Sequence, residues 1–138
     1  MSSDTPARFP TEGVELTQLM VITDLERSVD FYQNTLGARL VRTYGGTSAV
    51  LQFQGAWLLL VIGGGPTPDK PTVTFAPPSD PDTVSHELTI RVSDCRAAHR
   101  VLEDRGAVFL TAPVESDWEI RAFFRDPDGH LLEISQAK

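Results

Sequence analysis

A chain of 138 residues with 41% hydrophobic content is the size of one domain, able to bury about two-thirds of its unfolded surface without covalent staples. The 12 basic against 19 acidic side chains give a formal charge of −7, and no Lys/Arg cluster interrupts that balance, which excludes a grip on nucleic-acid phosphates. Cys95 is the single cysteine, so an intrachain disulfide framework and a cysteine-rich metal site are excluded, and a reducing, cytoplasmic setting is expected. The longest apolar run, Ala56–Ile62, is far short of the roughly 20 residues of a membrane span. Residues 1–13 read as a flexible tail without an apolar signal core.

An internal repeat organises the rest. The stretch MVITDLERSVDFYQNTLGARLV at 20–41 is echoed by TIRVSDCRAAHRVLEDRGAVFL at 89–110, with Asp24 and Asp94 70 positions apart and Gly37 and Gly106 69 apart. Each copy has an alternating apolar stretch, an Asp at a helix start, about a dozen helical residues, then Gly-Ala and a β-prone stretch. The aspartates suit helix N-caps, where a carboxylate accepts from free N–H groups. The glycines suit the left-handed position that ends a helix. Leu25, Val29, Tyr32 and Leu36 share one helical face, and Ala97, Ala98, Val101 and Leu102 follow a weaker version of the same spacing.

Strand signals follow each helix, at 39–44, 49–53 and 56–62 in the first copy and at 108–111, 121–124 and 131–136 in the second. Asp126-Pro127-Asp128-Gly129 reads as a tight turn. Between the copies, 63–85 is rich in glycine and proline and reads as an exposed connection, with at most a short strand at 73–75. The expected organisation is α+β: a single domain over 14–138 made of two tandem βαβββ modules, 14–62 and 86–136. Their curved mixed sheets, each with a helix on its convex side, are expected to bring concave faces together around a cavity.

The segments TDLERSVDFYQNTLG, from Thr23 to Gly37, and FRDPDGHLLEI, from Phe124 to Ile134, resemble the vicinal oxygen chelate superfamily. That group holds glyoxalase I, extradiol dioxygenases, fosfomycin-resistance transferases and bleomycin-resistance binding proteins. The resemblance spans 14–135 and specifies a fold more sharply than a reaction.

The resemblance implies that metal-using members hold a divalent ion with residues at the start of each module's first strand and a Glu on each last strand. The matching positions here are Thr17, Leu59, Glu87 and Glu133. A threonine hydroxyl is a feeble ligand and a leucine is none, whereas a catalytic divalent site needs about three strong ligands and an open position. The candidate metal set, for zinc, nickel, manganese or iron, is therefore Glu133 and Glu87, joined by His86 only if a bulge turns it inward. His86 and Gln18 each lie one step from a ligand position, and strand alternation sends them to the opposite face. Glu133 is also the candidate catalytic carboxylate.

By the same alternation Leu19, Val21, Trp57, Leu59, Val61 and Phe123 line the concave side, with Trp118 on the loop before the strand. The expected ligand-binding residues are Thr17, Trp57, Leu59, Glu87, Trp118, Arg121 and Phe123. Arg121 is the expected bridge between Glu87 and Glu133, replacing a missing cation. Cys95 reads as a structural thiol, and His99 and His130 as surface residues. No nucleophile elbow, phosphate loop or dinucleotide fingerprint occurs.

Two functions follow. One is the binding of a small hydrophobic or aromatic molecule in the inter-sheet cavity, as in bleomycin-resistance proteins. The other is a metal-dependent lyase, isomerase or dioxygenase of glyoxalase type. A structural module whose pocket is filled by its own side chains is a third reading. The resemblance also implies a homodimer.

Overall fold

The computed structural model of the chain describes residues 6–138, and residues 1–5 of the expected tail lie outside them. Residues 6–13 belong to no helix or strand. The first module runs β1 (Thr17–Ile22), α1 (Leu25–Asp30), β2 (Arg39–Tyr44), β3 (Ser48–Phe53) and β4 (Ala56–Ile62). The second runs β5 (Leu88–Arg91), α2 (Cys95–Asp104), β6 (Val114–Glu115), β7 (Glu119–Arg125) and β8 (Leu131–Ala137). The two sheets have the same order, β1-β4-β3-β2 and β5-β8-β7-β6, with only the first and last strands of each module parallel. The α+β expectation and the duplicated βαβββ plan hold.

The helix signals act as anticipated. Asp24 accepts from the N–H of Arg27 at 3.1 Å and Asp94 from that of Ala97 at 3.0 Å. Gly37 and Gly106 close the helical segments at φ +92° and +100°, where a Cβ would be strained. The first helix departs from a regular α-helix: after Asp30 it widens into a π-helical turn, Phe31–Thr35, which brings Tyr32 and Thr35 inward. In α2, Cys95 and Leu102 are buried while Val101 is 47% exposed, so the burial face runs through Cys95, Ala98 and Leu102.

Period-two patterning sets which side of each sheet the helices cover. Met20 and Ile22 on β1, Leu58 and Leu60 on β4, Ala122 and Phe124 on β7, and Leu132 and Ile134 on β8 are all buried, in one cluster shared by both modules. Each fully buried Ile, Leu or Phe stabilises the fold by about 1.5–3 kcal/mol. The alternate residues Leu19, Val21, Trp57, Leu59, Val61 and Phe123 are half-buried on the other side.

Two strand expectations change. Residues 108–111 form no strand; they contribute one isolated bridge, Phe109 to Phe124, and the edge strand is the two-residue β6 further on. Within 73–75, Phe75 makes a single bridge to Gly64. No described helix is long and apolar enough to cross a membrane.

Candidate functional site

The two modules are fastened to each other on their helix sides by the turn after β7. Asp128 accepts from the N–H of Thr23 at 3.1 Å and from its hydroxyl at 2.7 Å, and from Ser28 Oγ at 3.2 Å. Asp126 accepts from the Tyr32 phenol at 2.8 Å and from the N–H groups of Asp128 and His130, both at 2.9 Å. Burial pushes the Asp126 carboxyl above its ordinary value, with the donors and His130 opposing. His130 Nε2 reaches the carbonyl of Val21 at 2.7 Å, so this half-buried ring ties β1 to the turn and is not the surface residue expected. His99 is not on the surface either: its side chain is 12% exposed and it packs edge-on against Phe109, with ring centroids 4.4 Å apart.

This joint sets the first strands of the two modules along a common seam. A cavity of about 640 Å³ opens there, walled by β1, by Glu87 and Leu88, and by His130 and Leu131, and roofed by the segment 76–86. Leu19, Met20, Val21, Val84, Leu88 and Leu131 supply apolar lining; Asp80, His86 and Glu87 supply polar groups. The roof is anchored at both sides: Gly64 and Phe75 exchange two backbone hydrogen bonds, and Arg125 reaches the Pro81 carbonyl at 2.5 Å and Asp82 at 3.0 Å.

A polar network covers the face of the second sheet turned away from the helix. The Thr89 hydroxyl lies between two carboxyl groups, hydrogen-bonded to Glu87 Oε1 and 3.1 Å from Glu133 Oε1. Glu133 is 8% exposed, and its carboxyl is held above the ordinary carboxylate range, first by burial and then by Glu87 beside it. Glu87 Oε2 is buried with no hydrogen-bond partner among the described residues. Further along, Ser135 Oγ donates to Glu119 Oε2 at 2.5 Å and accepts from Arg91 at 2.8 Å.

The expected site residues fall into three groups. Glu87 and Glu133 come together across the Thr89 hydroxyl, which was not among the expected residues. Thr17, Trp57 and Leu59 share one face of the first sheet, Trp57 in register with Thr17 and Leu59 with Leu19. Phe123 pairs in register with Glu133, and Arg121 lies over its ring at 5.2 Å.

Three expectations are corrected. Arg121 does not bridge the carboxyl pair: it bonds Glu119 Oε1 at 3.2 Å, because its strand position is opposite Ser135, two residues beyond Glu133. Trp118 lines no pocket here; it is 80% exposed on the loop before β7. His86 is exposed just before β5, with Nδ1 3.1 Å from Ser85 Oγ, and no bulge in β5 turns it toward Glu133. Among the described residues no three His, Cys, Asp or Glu side chains gather where they could hold an ion.

Sequence reasoning missed the seam cavity and the joint that frames it. A signal was present in the paired aspartates of the turn, whose carboxylates have acceptor capacity beyond what a turn needs. Cys95 is as expected, fully buried, with Sγ 3.8 Å from the Ile134 carbonyl and its thiol pushed up by burial.

Comparison with known proteins agrees with this architecture. A family model, Glyoxalase/Bleomycin resistance protein/Dioxygenase superfamily, matches residues 15–134. A lactoylglutathione lyase of Neisseria meningitidis is 30% identical over 132 residues, covering 89% of this chain and 90% of that protein. A glyoxalase/bleomycin resistance protein/dioxygenase from Nocardioides superposes with a TM-score of 0.72 at 26% identity, covering 97% and 87% of the two chains. TnmS3, an antibiotic binding protein from Streptomyces sp. CB03234, superposes at 0.63 with 25% identity, covering 93% and 100%.

Proposed function

We propose that this chain, which belongs to the glyoxalase/bleomycin resistance protein/dioxygenase superfamily, binds a small, largely apolar molecule in the seam cavity and along the adjoining wall of its first sheet. The observation that carries this reading is Leu59. It stands beside β1 where Glu133 stands beside β5, so the duplicated position keeps its carboxylate in one module only. With Thr17 in the place that Glu87 holds, the residues present do not fit a catalytic divalent ion. What remains is an apolar surface of Leu19, Val21, Trp57, Leu59 and Val61 leading out of a cavity of drug-molecule size. Phe123 and Arg121 would meet larger ligands from the second module. The similarity to TnmS3, an antibiotic binding protein, supports the reading.

The second reading is a metal-dependent lyase, favoured by the Glu87–Glu133 pair and by the 30% identity to a lactoylglutathione lyase. There Glu133 would be a ligand or a base. Elemental mass spectrometry of tag-free protein before and after chelator dialysis separates the two. Substoichiometric metal that washes away is expected; one retained equivalent of zinc, nickel, manganese or iron overturns the binding reading.

A further inference from the structure

The seam cavity has a charge character that narrows its occupant. Its lining contains two carboxylates, Asp80 at the mouth and Glu87 within, and no lysine or arginine. Asp80 is held in place by the Thr83 hydroxyl and the Asp82 N–H, both at 3.0 Å. Arg125, the guanidinium that anchors the roof, is paired with Asp82 and does not line the cavity. His86 has Nδ1 occupied by Ser85. The local field is therefore negative, in a chain whose formal charge is −7.

Desolvation gives that field its consequence. A neutral apolar molecule filling the cavity would leave the Glu87 carboxyl in a drier site with no counter-charge, because its one protein donor is the Thr89 hydroxyl and Oε2 has no partner among the described residues. An anion would add repulsion. An ammonium group supplies both the missing donors and the opposite charge, while its hydrocarbon body lies against Leu19, Val21 and Leu131.

We infer that the cavity takes an organic cation, a compact molecule with an apolar body and a protonated amine seated at Glu87. This deepens the proposed binding function and rests on it. The test uses two probes of one skeleton, 4-phenylbutylamine and 4-phenylbutan-1-ol, in calorimetric titrations at neutral pH and low salt. The amine is expected to bind at least tenfold more tightly, and Glu87→Gln to erase that preference. Ala76→Trp, which fills the cavity from its roof, is expected to abolish binding of both probes, with Val84→Trp as a second block should the first misfold. If the alcohol binds as well as the amine and both are lost on blocking, the cation inference falls while the cavity reading stands. If neither probe binds, or the folded blocked variants bind unchanged, both fall.

Discussion

The phenol of Tyr32 donates a 2.8 Å hydrogen bond to Asp126 Oδ2, and both residues are buried although 94 positions separate them in the chain. The bond joins the helical segment of one module to the turn of the other, and so holds the two sheets in their mutual arrangement. Tyr32→Phe should destabilise the fold by about 1–3 kcal/mol in urea unfolding, since a buried acceptor loses a donor. Burial raises the folded Asp126 value, so its contribution is fully present below the unfolded value of about 3.9 and is lost as pH rises through the folded one. The Tyr32 donor favours the charged form, so the cost of Tyr32→Phe should grow from pH 4 to pH 7. A cost independent of pH would contradict this account.

Asp128 makes the same junction by different means, through Thr23 and the fully buried Ser28. Asp128→Ala strands those donors and should lower the urea midpoint by an amount equivalent to about 1–3 kcal/mol with an unchanged slope. Hydrogen exchange should locate the loss in the first turn of α1.

Glu133 should show the opposite sign to a stabilising carboxylate. Its folded value is raised by burial and by Glu87, so the stability it contributes is present at acidic pH and is lost as pH rises through that value. Glu133→Gln keeps the Thr89 hydrogen bond and removes the repulsion. The variant should melt about 3 °C above the parent at pH 7, with no gain at pH 4. Destabilisation at pH 7 would mean that the carboxylate has a cationic partner.

Gly63 tests the roof. A Cβ there would meet the Phe75 carbonyl oxygen at 2.7 Å, a contact that must be relieved by moving backbone. Gly63→Ala should therefore weaken binding of cavity ligands at least tenfold while costing only about 1 kcal/mol of stability. Calorimetric titration of the variant with a ligand of the parent protein measures this.

Much of the architecture was legible because its signals are local. The caps at Asp24 and Asp94, the left-handed glycines and the two-residue periodicity of β1, β4 and β8 each act within a few residues, and the repeat doubled every one of them. The 108–111 segment was misread because a β-prone stretch becomes a strand only where a partner offers its edge, and Phe124 offers a single bridge. The carboxyl pair could be anticipated, since alternation and register put Glu87 and Glu133 on one face. Its partner could not: whether Arg121 meets Glu133 or Glu119 depends on a pairing offset of two residues that composition does not encode. The cavity was illegible for a stronger reason, since it exists only where Asp126 and Asp128 draw two distant segments together.

The way the roof is attached bears on the time course of any encounter. One end is knitted to the strand edge through Gly64 and Phe75, and the far side is held by the Arg125 guanidinium at Pro81 and Asp82. A visitor can enter or leave fastest when that single ionic clasp parts, since the backbone pairing on the other side stays closed. Loosening Arg125 would speed arrival and departure together and leave the equilibrium between them almost unmoved.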